Sequence, residues 1–505
     1  MWPAVCYDSP RLPRAAAPLR KPELRHGSRY PMNFILFVPD ELRAESVGCY
    51  GHPLALTPNL DRLAAQGVRF DQCHVQHPVC SPSRISFMTG WYPHVRGHRT
   101  LWHLLRPDEP NLLRYLKEAG YAVHWWGKND LLASASFPLS VTSAERRGQR
   151  MFGPNPYDLD DPRYYSFLYA PYTGPLDEHG DYANVHAAIA FLQSRPREPF
   201  ILYLPLTLPH PPYSAPLPWH DLIDPDTLPP LRPAGLPGRP DFHAHIRRTR
   251  RLDGVDEAHL RKIQAVYLGM TGFIDELLGR LLHALDETNL AERTAVFVFS
   301  DHGDYAGDYG LVEKWPSGLE DVLTRVPLII RAPGCLASHV VREPVELFDI
   351  MATILELADI PARHTYFARS LLPQLQGAPG DPGRAVFAEG GYARHESHCF
   401  EGRPIGPQAG REPREIYYPK GRLQQDHPAS VCRAVMIRTG SHKLIYRVDG
   451  LCELYDLGSD PQELRNVYSR PEYAGVQAEL ERRLLDWYVQ TSDVTPFDED
   501  PRDLP

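Results

Sequence analysis

At 505 residues the chain exceeds one ordinary core and has room for roughly two to four domains, or one large domain with an appendage. Hydrophobic residues make up 43% and charged residues 23%, which excludes fibrous and disordered classes, and a formal net charge of -9 excludes nucleic acid as a partner held by bulk charge. Eight scattered cysteines form no C-x-x-C pair, so neither a zinc ribbon nor a disulfide framework is legible, and no run of about 18 apolar residues marks a membrane span.

Residues 1–31 are rich in Arg and Pro and lack the apolar core of a secretory signal, so a poorly ordered leader and a cytoplasmic location are expected. The run "NFILFV" (33–38) is a buried strand that ends in Asp40 and Glu41. Thr57 caps a helix with Pro58 at its first position and Gly67 at its end. Ser81 and Pro82 mark a second helix start. Residues 110–120 then read as helix and 121–126 as strand, leading into Gly127 and Lys128. Another strand, 200–204, runs into "TLPHPPY", followed by Pro-rich coil to about 240 and a long helix near 256–287. The strand 295–300 delivers Asp301 and His302, and a strand at 326–331 and a helix at 346–358 follow.

Strands alternating with helices predict an α/β fold, a large, mostly parallel sheet with helices on both faces, over 32–375. Short strands without crossover helices predict a smaller antiparallel α+β subdomain over 376–490, with a His-, Arg- and Gly-rich loop at 390–430 and a helix near 472–490. An acidic tail, 491–505, is suited to wrap a neighbouring subunit of a homo-oligomer.

In such sheets ligands sit beyond the carboxyl ends of the strands. If the first strand neighbours 295–300, Asp40, Glu41 and Asp301 converge, and their repulsion is relieved either by solvent or by a hard divalent ion. A lone cysteine is ordinarily a small buried hydrophobe. Here Cys80 opens "CSPSR", followed by "MTG" at 88–90, and this string resembles the signature of the sulfatase family. The resemblance continues in order through "NFILFVPDE", "TPNLDRLAAQGVRF", "GYAVHWWGK", "TLPHPPY", "VFSDHGDYAGDYGLVEK", "RVPLIIRAPG" and "ELYDLGSDPQELRNV", from about residue 33 to 490.

The resemblance implies an alkaline-phosphatase-like fold and oxidation of Cys80 to formylglycine by a formylglycine-generating enzyme. It implies a divalent metal, calcium first, with magnesium or manganese as alternatives, held by Asp40, Glu41, Cys80, Asp301 and His302. Arg84 would serve the nucleophile and the anion, Lys128 the sulfate, and His210 with Lys314 the leaving group. Two departures stand out. Asn129 and Asp130 follow Lys128 where the family commonly has W-H, so Asp130, His98 or His103 is the candidate replacement, with Arg99 a further candidate for substrate binding. Glu41 stands where a second Asp is usual. The expected function is hydrolysis of an aryl or carbohydrate sulfate ester, with no membrane or nucleic-acid partner. The alternatives are a phosphonate monoester or phosphodiester hydrolase with the same aldehyde and metal, and an inactive homologue that binds sulfated glycans.

Overall fold

The computed structural model describes residues 31–148, 150–402, 412–497 and 502. The expected leader, save its last residue, and residues 498–501 and 503–505 of the acidic tail lie outside the described residues, as does 403–411 within the 390–430 loop.

One mixed sheet contains β1 (Asn33–Asp40), β2 (Val68–His74), β3 (Ala122–Trp126), β4 (Ser143–Glu145), β5 (Phe200–Pro209), β6 (Thr294–Phe299), β7 (Arg325–Val326), β8 (Leu328–Arg331) and β9 (His339–Glu346). Its spatial order is β4-β3-β5-β1-β6-β8-β2-β7, with β9 paired to β2. β1 is central: Phe34 is in parallel register with Ile201 of β5 and with Ala295 of β6. Every residue of β1 and β6 is buried, which explains why both read as continuous apolar runs. Their period of two divides the interior. Ile35, Phe37, Val296 and Val298 face a core shared with the Glu257–Glu287 helix, while Phe34, Leu36, Phe297 and Phe299 face one shared with the Leu112–Glu118 and Asp349–Leu357 helices.

Three expectations need correction. The strand expected at 326–331 is broken into β7 and β8 at Pro327, which has no N–H to give a ladder, and β8 runs antiparallel to both β6 and β2. The helix expected to be capped by Ser81 begins at Cys80, because the Ser81 hydroxyl donates to Leu101 O (3.2 Å) instead. The 390–430 loop contains a helix, Tyr418–Asp426, whose one turn of apolar pattern is too short to stand out in sequence.

The second sheet, β10 (Val386–Gly390), β11 (Ala434–Arg438), β12 (His442–Arg447) and β13 (Glu453–Asp456), is antiparallel throughout. Ile437, Leu444 and Leu454 on one face join Leu480, Leu484 and Trp487 of the Ala474–Thr491 helix. The described part of the tail lies against its own chain, where Thr365 Oγ1 donates to Thr495 O (2.9 Å). Among the described residues no helix is long and apolar enough to cross a membrane.

Candidate active site

Four neighbouring parallel strands, β3, β5, β1 and β6, end on one edge of the large sheet and lead directly into Lys128, His210, Asp40–Glu41 and Asp301–His302. β2 has the same sense as β6, since both oppose β8, and its continuation brings Cys80 to that edge. The turn after β3 requires glycine: Gly127 has φ 142, and a Cβ there would lie 2.1 Å from Pro205 O. Asp181 fixes the end of β5 by accepting from Thr207 N (2.9 Å) and Leu208 N (2.8 Å).

The first group of side chains surrounds Cys80. Its Sγ lies 3.1 Å from His302 Nε2, 3.6 Å from Asp40 Oδ1 and 3.9 Å from Lys128 Nζ. Arg84, one helical turn on, donates through Nε to Asp301 Oδ2 (2.8 Å) and through Nη2 to Asp40 Oδ2 (3.0 Å). Lys128 pairs with Asp40 and, at 2.7 Å, with Asp130 Oδ2. Burial pushes the Asp40 carboxyl up, but Lys128 and Arg84 together hold it well below the usual carboxylate range. Burial and then Asp40 push the Cys80 thiol well up.

The second group gathers around Glu41. Glu41 has φ 68, in the left-handed region that costs a non-glycine residue energy, and its carboxylate lies within 4.8 Å of ligand atoms of Asp40 and His210. Its backbone N–H donates to Asp301 Oδ1 (3.1 Å), while its Oε2 accepts from Lys314 Nζ (2.8 Å). Lys314 Nζ is also 2.8 Å from His210 Nε2, and His210 Nδ1 is 2.6 Å from Pro211 O. Nδ1 therefore donates and Nε2 accepts, so the proton between these two residues sits on Lys314. Burial, reinforced by Lys314, pushes the His210 imidazole well down, consistent with that neutral tautomer. Burial raises Glu41 well above the usual range despite Lys314, with Asp304 and Glu313 adding to the rise.

The donor chemistry of the first group fits a divalent cation. Ligand atoms of Asp40, Cys80, Asp301 and His302 all lie within 4.8 Å of one another, and all four residues are buried. His302 Nδ1 is 2.9 Å from Gly303 O and donates to it, which leaves the Nε2 lone pair aimed at the carboxylates. Two carboxylates and one imidazole suit a hard ion. Glu41 is outside this group and belongs to a second set with Asp40 and His210, so the expected five ligands fall into two sets that share Asp40.

Of the other sequence candidates, Asp130 is at the site through Lys128. His98 is not presented to a ligand: it is buried, with Nδ1 2.8 Å from His103 O and Nε2 2.9 Å from Glu109 Oε1. His103 Nδ1 is 2.8 Å from Thr100 Oγ1, and Arg99 is engaged by Glu396 (3.0 Å). These three hold the loop against which the Cys80 helix packs. The side chains of Lys128, Asp130 and His210 keep 14%, 25% and 17% exposure while those of Asp40, Arg84 and Asp301 keep none, so the site opens between β3 and β5. The sequence reading missed Ser83, whose hydroxyl donates to Asp301 O (2.6 Å), and Tyr203, whose hydroxyl is 3.5 Å from Arg84. Ser83 was visible in C-x-P-S-R; Tyr203 sits mid-strand and carried no signal.

Comparison with known proteins agrees with this geometry. The sulfatase family model matches residues 32–360, and the model for the C-terminal part of N-sulphoglucosamine sulphohydrolase matches 408–490. The multifunctional alkaline phosphatase superfamily protein PehA of Trinickia caryophylli is 27% identical over 517 residues, covering 91% of this chain and 94% of that protein. The N-acetylglucosamine-6-O-sulfatase of Bacteroides thetaiotaomicron is 26% identical over 534 residues, covering 92% and 87%. The phosphonate monoester hydrolase of Agrobacterium radiobacter shares the fold, with a TM-score of 0.74, 22% identity and coverage of 91% and 96%. With nucleophile motif, strand-end acids and both lysines on one sheet edge and the family model spanning 32–360, this chain belongs to the sulfatase family, the sulfuric ester hydrolases.

Proposed function

We propose that this enzyme hydrolyses the sulfate ester of an aryl or carbohydrate substrate, with position 80 acting in its formylglycine form. The observation that carries the reading is the placement of Cys80 between His302 and Asp40 at the start of a buried helix, with Arg84 and Lys128 on either side. The Cys80 Sγ occupies the place of the aldehyde-derived oxygen. Formylglycine supplies a hydrated aldehyde, with one hydroxyl to attack sulfur and another to release sulfate. Asp40, Asp301 and His302 would hold a divalent cation, calcium first, which supplies Lewis acidity toward a sulfate oxygen.

The remaining work falls to side chains. Arg84 and the N-terminus of the Cys80–Thr89 helix hold the anion, and Lys128, facing the open side, receives a sulfate oxygen. Lys314 gives its proton to the bridging oxygen as the S–O bond breaks, and the neutral His210 orients that ammonium through Nε2. The Lys128–Asp130 pair takes the place of the histidine that commonly follows the lysine, because Asp130 is joined to the nucleophile through Lys128 whereas His98 and His103 are committed elsewhere. Seven described cysteines are free thiols, which supports the cytoplasmic reading.

Expression with a formylglycine-generating enzyme, followed by mass spectrometry of the Cys80 peptide and assay on sulfated sugars and aryl sulfates, tests the reading. Aldehyde at position 80 with sulfate release supports it; an unmodified thiol in a protein that still releases sulfate overturns it. A second reading, a phosphonate monoester or phosphodiester hydrolase with the same site, is favoured by the likeness to the phosphonate monoester hydrolase SpPMH of Silicibacter pomeroyi, 25% identical with a TM-score of 0.70. Dominant turnover of a phosphate diester in the same assay would select it.

A further inference from the structure

We propose that Lys420, in the C-terminal part of the chain, is a positioning residue for Lys314 and acts through the carboxylate of Glu313. The inference rests on the reading of Lys314 as the group that serves the leaving oxygen.

Glu313 immediately precedes Lys314 and is buried, with φ 63. Its Oε1 lies 3.8 Å from Lys314 Nζ. In a medium of low dielectric, a carboxylate at that distance pulls strongly on an ammonium and would draw it away from Glu41 and His210. Two closer cations already occupy Glu313. Lys420 Nζ donates to Oε1 at 2.6 Å, and Arg250 Nη2 donates to Oε2 at 2.7 Å. Lys314 is left as the distant third partner and keeps its 2.8 Å contacts with Glu41 Oε2 and His210 Nε2.

Both outer cations are themselves fixed. Lys420 is 2% exposed and also pairs with Glu401 (3.4 Å). The Arg250 guanidinium stands over the Phe167 ring at 4.5 Å and reaches the carbonyls of Tyr165 and Ile416 (3.4 Å each). The Tyr418–Asp426 helix thus completes a charge arrangement centred on Glu313, 107 residues before Lys420 in the chain. Removing Lys420 leaves Glu313 Oε1 for Lys314 to approach, and the ammonium retreats from the leaving group. The nucleophile and anion site stay as they are.

The test uses the full-length, formylglycine-containing enzyme with 4-nitrophenyl sulfate, which has a good leaving group, and phenyl sulfate, which has a poor one. Lys420→Met is expected to lower kcat/KM for phenyl sulfate by about 10- to 100-fold and that for 4-nitrophenyl sulfate by less than about threefold. Adding Glu313→Gln to Lys420→Met removes the competing carboxylate and is expected to restore most of the loss, while Lys420→Arg loses less than Lys420→Met. Equal losses on both substrates, or no recovery in the double variant, overturn the proposal by making Lys420 merely structural. If Lys420→Met does not fold, the double variant and Lys420→Arg decide on the same two substrates. Lys314→Ala is the separate control. If it lacks a leaving-group-dependent loss, the reading of Lys314 itself fails; if it shows one and Lys420→Met does not, only this inference fails.

Discussion

Asp40 and Glu41 are neighbours in sequence and both lose all contact with solvent, yet they sit in opposite electrostatic surroundings. Around Asp40, Lys128 and Arg84 outweigh burial and hold the carboxylate charged. Around Glu41, burial with Asp304 and Glu313 outweighs Lys314 and raises the carboxyl well above the usual range. In the first half of the site Asp40 is paired with two cations, Lys128 and Arg84, whereas in the second half Glu41 Oε2 accepts from Lys314, which is shared with His210. Asp40 is nonetheless common to both sets of possible ligands.

The comparison can be broken at several points. Cys80→Ala removes the nucleophile and is expected to reduce sulfate release about 1000-fold or more, measured under single-turnover conditions. Arg84→Met leaves Asp40 and Asp301 facing each other without a cation between them, and urea denaturation of the metal-free protein should show a loss of about 3–5 kcal/mol. Calorimetric titration with calcium sharpens the contrast: Asp301→Asn should weaken binding by about 10-fold or more, and Glu41→Gln by clearly less, since Glu41 lies outside the buried group of four. Equal losses would merge the two halves into one site.

Asp181, against the end of β5, gives the site a pH signature. Burial raises its pKa from 3.8 to about 6, against the two backbone N–H donors at the end of β5. A carboxyl raised in the folded state contributes stability that is full below its unfolded value and is lost as pH rises through about 6. Melting temperatures of Asp181→Asn relative to the parent should therefore rise between pH 4 and 7, roughly the window those values set. The smallest effect is expected at Arg99: its pairing with Glu396 is partly solvated, so Arg99→Ala should change stability by less than about 1 kcal/mol and leave KM for aryl sulfates nearly unchanged.

The elements that carry the first half were legible because their signals are local. Apolar runs ending in Asp40 and Asp301 mark buried strands, and C-S-P-S-R places Arg84 one turn from Cys80 whatever the rest of the chain does. β2 and β9 were missed, since Val68–His74 mixes charged with apolar residues and owes its strand form to pairing partners far away in the chain. His98, His103 and Arg99 looked like ligand-binding groups because nearness in sequence to Cys80 says nothing about which partners a loop folds onto.

Sequence alone determined which residue types stand at the ends of the buried strands, and with them the placing of Cys80, Arg84 and the acids of the proposed site, because strand burial and helical spacing are properties of short stretches. Tertiary structure decided that Glu41 pairs with Lys314 while Asp40 pairs with Lys128 and Arg84, that the proton shared with His210 rests on Lys314, and that Lys420 pairs with Glu313. Each of those depends on a charge brought from a distant segment into a medium of low dielectric, where a difference of 1 Å in the approach of a cation, roughly that between its 2.6 Å and 3.8 Å partners, selects the carboxylate's partner.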